Sequence, residues 1–207
     1  FPGACIGLEP QDLKYKGAPT EVVIGNKNTF RECVTINKAT EEGEKTIIGN
    51  SNLLMAYCHV AHNCDIGNGI VMSNSVQVAG HVTIEDRAII GGLVGVHQFV
   101  HIGELSMIGG MSKVDRDVPP FCLIEGNPGR IRSLNLVGLR RSGLIENNNK
   151  EFIELQETWK FIYRSGYSLA QGLDLASKKT MNYSSNHLCQ FIRKSLEKGR
   201  RGPIPQK

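Results

Sequence analysis

Little in this 207-residue sequence is aromatic: phenylalanine, tryptophan and tyrosine together make up 6%, which argues against a core built from rings. No run of about 18 apolar residues occurs, so a transmembrane helix is excluded. None of the six cysteines (Cys5, Cys33, Cys58, Cys64, Cys122, Cys189) forms a CxxC pair. A chain of this length needs no disulfide framework, so reduced thiols in a cytoplasmic protein are the expectation. Neither sign of charge dominates: the net value is +4, and no nucleic-acid partner is expected. With 40% hydrophobic and 21% charged residues, disorder and collagen-like repeats are excluded. The opening at Phe1, without Met or a signal-peptide pattern, reads as an N-terminally incomplete chain.

What is abundant is glycine, 23 residues, together with a strict period. Every sixth residue from Ile48 is apolar: Ile48, Leu54, Val60, Ile66, Met72, Val78, Ile84, Ile90, Val96, Ile102, Ile108 and Val114, with Ile24, Phe30 and Ile36 in the same phase. Neither a helical nor an alternating period produces this pattern. A period of six implies one short strand and one turn per hexad, three hexads to a triangular coil, and coils stacked through parallel strands. The glycine excess is then expected to supply the tight or left-handed backbone that each turn needs. A narrow prism interior also suits Ile and Val better than rings.

Two stretches break the count and predict loops at 8–22 and 38–46, where function usually sits on a rigid scaffold. Asp117-Val118-Pro119-Pro120 predicts the end of the coil, because consecutive prolines cannot continue a hydrogen-bonded ladder. After a linker, EGNPGRIRS, helical spacing begins, with Phe152, Leu155, Trp159, Ile162 and Tyr163, then Leu188, Phe191, Ile192 and Leu196. Three or four helices are expected, with Trp159 in the core. The predicted domains are a β-helix over 1–133 and an α-helical unit over 134–207. Most of the positive excess falls after residue 125, including Arg140, Arg141, Lys178, Lys179, Arg193, Lys194, Lys198, Arg200 and Arg201. It reads as a solvated helical face, or as a surface for an acidic partner.

Five of the six histidines lie in the repeat. With 18 residues to a coil, Val60, Val78 and Val96 stack on one face, and His62, His81 and His97 are expected to form a ladder with a rise of about 4.8 Å. Such a column fits general-base catalysis or zinc ligation by three imidazoles. Flat prism faces place a deep pocket between subunits, and a threefold homo-oligomer closes that arrangement.

The segments QDLKYKG (11–17), NLLMAYCHVAHNCDIGN (52–68), VAGHVTIEDRAIIGG (78–92), VHQF (96–99), DVPPF (117–121) and LNLVGLRR (134–141) resemble the UDP-N-acetylglucosamine O-acyltransferases, hexapeptide-repeat enzymes of lipid A synthesis. The resemblance runs from Gln11 to about Arg164. It implies a left-handed parallel β-helix with a C-terminal helical domain, working as a homotrimer without a cofactor or a metal. It further implies transfer of a 3-hydroxyacyl chain from acyl carrier protein to the 3-hydroxyl of UDP-N-acetylglucosamine, with His62 as general base and the Gly80 N–H as oxyanion donor. Asp12, Lys14, His59, His81, His97 and Gln98 are implied as substrate contacts, Asn135 and Arg141 as nucleotide contacts, and Gly110 as the position that limits acyl length. The sequence departs from the family pattern at Asn63, where members carry Asp, and at Asn37, Val137 and Ser142. A zinc hydratase of the γ-carbonic-anhydrase type and a non-catalytic scaffold are the alternatives. An enzyme acylating the glucosamine nitrogen is a close alternative, although no separate uridine-binding domain is visible.

Overall fold

The computed structural model describes residues 1–177 and 182–206; Lys178 and Lys179 of the basic segment lie outside the described residues. Eighteen strands precede the helices: β1 (Cys5–Leu8), β2 (Glu21–Ile24), β3 (Thr29–Phe30), β4 (Thr35–Asn37), β5 (Lys45–Ile48), β6 (Leu53–Leu54), β7 (His59–Val60), β8 (Asp65–Ile66), β9 (Val71–Met72), β10 (Gln77–Val78), β11 (Thr83–Ile84), β12 (Ile89–Ile90), β13 (Gly95–Val96), β14 (His101–Ile102), β15 (Met107–Ile108), β16 (Lys113–Val114), β17 (Cys122–Glu125) and β18 (Arg130–Leu134). They form three sheets, ordered β1-β4-β7-β10-β13-β16, β14-β11-β8-β5-β2 and β18-β17-β15-β12-β9-β6-β3. Up to β16, strands three places apart pair in parallel, as a three-strand coil requires. Val60 pairs Val78, and Val78 pairs Val96.

The interior is made by the in-phase aliphatics. All twelve from Ile48 to Val114 are buried, and so are Cys58, Cys64, Ile70, Val76, Val82, Ala88, Val94 and Val100 beside them. Each fully buried Val or Ile contributes roughly 1.5–3 kcal/mol, and the contributions add coil by coil. Cys5, Cys33, Cys58, Cys64 and Cys122 carry free thiols. Cys64 is held inside, where burial pushes its thiol up to about 12, so it behaves as a small apolar residue rather than a nucleophile.

Ten glycines, Gly43 and Gly69 among them, take left-handed backbone as expected, but within the coils most glycines serve another purpose. The left-handed corners are occupied every six residues from Ser51 to Met111, and all but Gly69 carry a side chain: Ser51, Tyr57, Asn63, Ser75, His81, Arg87, Leu93, Phe99, Leu105 and Met111. Glycine is used instead where one coil presses on the next. A Cβ on Gly91 would stand 2.5 Å from Gly110 N. Close approach between coils, not left-handed backbone, accounts for these positions.

Three further expectations change. Leu8 belongs to β1, Glu21 and Val22 to β2, and Lys45 and Thr46 to β5, so the loops run over 9–20 and 38–44. Pro119-Pro120 does not end the coil. The prolines lie at a corner, where no ladder donor is needed, and the third sheet continues as Met107 pairs Leu123. The segment read as a linker is an antiparallel hairpin of β17 and β18, with Cys122 opposite Leu134 and a cis Asn127-Pro128 bond.

The helices are α1 (Leu136–Arg141), α2 (Leu144–Asn147), α3 (Asn149–Arg164), α4 (Leu169–Ala176) and α5 (Tyr183–Ser195). The two short ones, α1 and α2, take the number past the expected three or four. Leu155, Trp159 and Ile162 of α3 meet Leu188 and Ile192 of α5 in a core continuous with the prism. Polar contacts fasten α5 to the coils: Tyr183 Oη donates to Glu104 Oε2 at 3.1 Å, and His187 Nε2 lies 2.7 Å from Glu85 Oε2. The buried Asp117 carboxylate accepts from Ser195 Oγ at 2.6 Å and from Arg200 Nε and Nη2 at 2.9 and 2.8 Å. Ile131 N then donates to Pro205 O at 3.1 Å, so the segment after α5 closes the upper coil.

Candidate active site

Both loops return to one histidine. His62 follows β7 at the edge of the first sheet and is 6% exposed. Asn63 takes the left-handed corner after it at φ 60°, a conformation that asparagine tolerates better than most residues. This brings the Asn63 amide beside the preceding imidazole, with His62 Nδ1 and Asn63 Oδ1 2.9 Å apart. The same oxygen accepts from Thr40 N at 3.1 Å, while Nδ2 donates to Glu44 Oε2 at 2.6 Å. A backbone N–H can only donate, so the amide oxygen is the acceptor and Nδ1 carries the ring proton. Thr40 Oγ1 lies 3.0 Å from Nδ1 as well. Nε2 is therefore the lone-pair nitrogen, and it faces the loop after β1.

In that loop Asp12 Oδ2 stands 3.7 Å from His62 Nε2, beyond hydrogen-bond reach. The Lys14 N–H donates to Asp12 Oδ1 at 2.9 Å. That bond, with the nearby His62, Lys14 and His81 charges, outweighs desolvation and holds the Asp12 carboxyl below the usual carboxylate range. Across from the loop, Gly80 occupies the position of His62 one coil up. A Cβ there would lie 2.5 Å from His62 Cε1 and Nε2, so the imidazole packs where a side chain would otherwise be. Among the described residues the Gly80 N–H meets no acceptor, while its carbonyl accepts from Phe99 N at 3.2 Å.

The other histidines do not complete a ladder. His62 and His81 touch edge to face with centroids 5.1 Å apart, but the ring beyond His81 is Phe99, stacked at 4.8 Å. The three histidines follow their inward valines by two, three and one residues, so the strand register places them at different points around the corner. His97 turns away, its Nδ1 2.9 Å from Gln98 O, and lines a shallow groove of about 400 Å³ with His59, Gln77 and Lys113. His59 Nδ1 is 2.7 Å from Thr35 Oγ1. Burial lowers the pKa of both His59 and His81, and the His62 charge acts in the same direction. A three-imidazole zinc site is thus not assembled within the chain, and among the described residues no group of His, Cys, Asp and Glu is arranged to hold a metal.

Gln98 holds the position of Gly80 one coil higher by strand register. Asn135 and Arg141 lie more than two coils above His62. Asn135 caps α1: its Oδ1 accepts from Gly138 N at 3.0 Å and its Nδ2 donates to Leu105 O at 2.9 Å. Arg141 ends the same helix. Gly110 stacks on Gly92 at an outer corner, where a Cβ would lie 3.2 Å from Gly92 O. Thr40 and Glu44, which touch His62 and its neighbour Asn63, carry no sequence motif. The one signal for Glu44 was its place 18 residues before His62, one coil earlier in the register that aligns Ile48 with Ile66.

A family profile described as UDP N-acetylglucosamine O-acyltransferase, domain 2, matches residues 117–204. An acyl-[acyl-carrier-protein]–UDP-N-acetylglucosamine O-acyltransferase of a Synechocystis strain is 55% identical over 208 residues, spanning 100% of this chain and 74% of the relative. The chain belongs to the UDP-N-acetylglucosamine O-acyltransferase family. A Helicobacter pylori member is 45% identical over 94% of the chain and 72% of its own length. The solved Arabidopsis UDP-N-acetylglucosamine acyltransferase superposes with a TM-score of 0.91 at 37% identity, covering 97% of this chain and 72% of that one. As in the acyltransferases of this family, the coil is a left-handed parallel β-helix, an exception to the right-handed crossover of open sheets.

Proposed function

We propose that this chain transfers a 3-hydroxyacyl group from acyl carrier protein to the 3-hydroxyl of UDP-N-acetylglucosamine, the opening step of lipid A synthesis, with His62 as the general base. The observation that carries the assignment is the tautomer: Nδ1–H is committed to Asn63, so Nε2 is bare and faces the opening beside Asp12. Nε2 takes the hydroxyl proton while the sugar oxygen attacks the thioester carbonyl. The Gly80 N–H stabilises the resulting oxyanion. Collapse breaks the C–S bond, and the departing thiolate takes the proton from the imidazolium. No acyl-enzyme is needed. Charged Asp12 and the neighbouring Lys14 hold polar groups of the substrates, with His59, His81, His97 and Gln98 along the first face; Asn135 and Arg141 meet the nucleotide, and Gly110 bounds the acyl chain. The β-helix over 1–133 carries the catalytic face and the helical unit over 134–207 carries the nucleotide contacts.

The working unit is a homotrimer in the cytoplasm. The shallow groove of His59 and His97 becomes deep only against a second copy. The outer corners Tyr57, Leu93 and Met111, at 62%, 63% and 73% exposure, present a mainly apolar column for that contact, interrupted by Ser75. Transfer from a 3-hydroxyacyl carrier protein to UDP-N-acetylglucosamine, followed by chromatography of the product, tests the reading. His62→Ala should lower kcat by about 10³-fold or more while preserving the assembly. Substantial residual turnover would refute the base assignment.

A further inference from the structure

The imidazole has no carboxylate on Nδ1; its neighbour there is an amide, and an amide alone stabilises imidazolium weakly. The carboxylate stands one contact further out. Glu44 Oε2 accepts from Asn63 Nδ2 at 2.6 Å, and Asn63 Oδ1 meets His62 Nδ1 at 2.9 Å. This makes a continuous chain from carboxylate through amide to the ring. The short first bond polarises the amide and makes its oxygen a better acceptor for the ring N–H. It also fixes the amide orientation, and with it the tautomer that leaves Nε2 bare.

We propose that Glu44 is a positioning residue for the reaction, acting on His62 through Asn63 as the negative group that stabilises the imidazolium. The inference rests on His62 being the base. No proton passes to Glu44. In the forward step the substrate O–H bond breaks and an Nε2–H bond forms, the ring becomes positive, and the carboxylate stays ionised at the far end of the chain. The titratable and charged groups that face His62 are Asp12 and Lys14 from the loop after β1, Glu44 from the loop before β5, and His59 and His81 from the neighbouring coils. Glu44 is the one of these joined to Nδ1 by an unbroken hydrogen-bond path.

Glu44 Oε2 also accepts from Glu41 N at 3.2 Å, so a purely structural role in the loop is the competing account. The two are separated by Glu44→Gln, alone and combined with Asn63→Asp, with kcat, KM for UDP-N-acetylglucosamine and the pH profile of kcat measured for each and His62→Ala run in parallel. Glu44→Gln keeps an acceptor for Asn63 but removes the charge. It should lower kcat roughly tenfold, the scale of a group that orients an imidazole from one contact away, with KM unchanged. The acidic limb of the profile should move to lower pH, because a less stabilised imidazolium loses its proton more readily. Adding Asn63→Asp returns a carboxylate directly to Nδ1 and should restore both kcat and the acidic limb, which repair of a loop turn would not do. An unchanged acidic limb in Glu44→Gln, or no rescue by Asn63→Asp, overturns the role of Glu44 while an inactive His62→Ala leaves the base assignment standing. An active His62→Ala overturns both.

Discussion

The imidazole of His62 lies against Gly80 so closely that a Cβ on Gly80 would stand 2.5 Å from Nε2. The nitrogen proposed to take the proton and the backbone proposed to hold the oxyanion are therefore adjacent, and the absence of one carbon sets their spacing. Gly80→Ala should push the ring off its position without unravelling the coil. We expect kcat to fall by about 10²-fold, the cost of a displacement near 1 Å, with a stability loss of about 1–3 kcal/mol from overpacking. Steady-state kinetics and urea unfolding measure the two effects separately.

The apolar corner column makes a prediction about assembly. Leu93→Lys combined with Met111→Lys places two charges where a second copy would bury Leu93 and Met111, now 63% and 73% exposed. Sedimentation should show a trimer for the parent and monomers for the double variant, with activity lost in parallel. Coil stability should change little, because both side chains point away from the prism interior.

The docking of α5 should be pH-dependent, with a sign fixed by Glu85 and His187. Burial alone would raise the Glu85 carboxyl, but His101 and His187 beside it overcome that and bring it down to about 2. His101 Nε2 is 2.8 Å from Glu85 Oε1. Burial alone would lower His187, yet its bond to Glu85, with the Glu85 and Glu104 charges, raises it above 6.5. The Glu85 contribution is present above about pH 4.5, the ordinary value, and fades as pH falls towards 2. The His187 contribution is whole below 6.5 and is lost as pH rises through its raised value. His187→Gln should therefore lower the thermal midpoint most between about pH 4.5 and 6.5 and least in alkali. Midpoints followed by helical circular dichroism across that range check it.

Replacing Arg200 leaves the buried Asp117 carboxylate with Ser195 Oγ and the His101 N–H, at 2.6 and 2.9 Å, as its remaining donors. Arg200→Ala should cost about 2 kcal/mol, less than a fully orphaned buried charge. Asp117→Asn in the same background should recover part of the loss, since the uncompensated charge goes with it. Denaturant midpoints of the single and double variants give the comparison.

The hexad phase was legible because an inward position carries one constraint, apolarity, repeated without interruption from Ile48 to Val114. The pairing of Val60, Val78 and Val96 followed from simple counting. Counting failed at the corners, where a shift of one residue turns a side chain to another side. His97 and His81 are separated in this way despite sharing a face. It failed again at Pro119-Pro120, because a missing N–H matters only where a ladder bond is made. Glycine was only partly legible for a related reason: the corners tolerate side chains at a cost, whereas Gly49, Gly67, Gly91 and Gly103 have no room for a Cβ against the adjoining coil. Thr40 and Glu44 belong to no motif. Their importance depends on where the 38–44 loop folds back, and loop geometry is not periodic.

Closure of the upper coil by the segment after α5 bears on the order in which the molecule forms. Parallel strands of neighbouring coils pair residues 16 to 30 apart, short enough for the prism to zip upward one turn at a time. Asp117 instead waits for Ser195 and Arg200, 78 and 83 residues later. Long-range closures of this kind are entropically slow. On that ground the prism is expected to grow locally and in sequence, and the Asp117 closure that joins the two dissimilar parts of the chain into one cooperative unit is expected to form last.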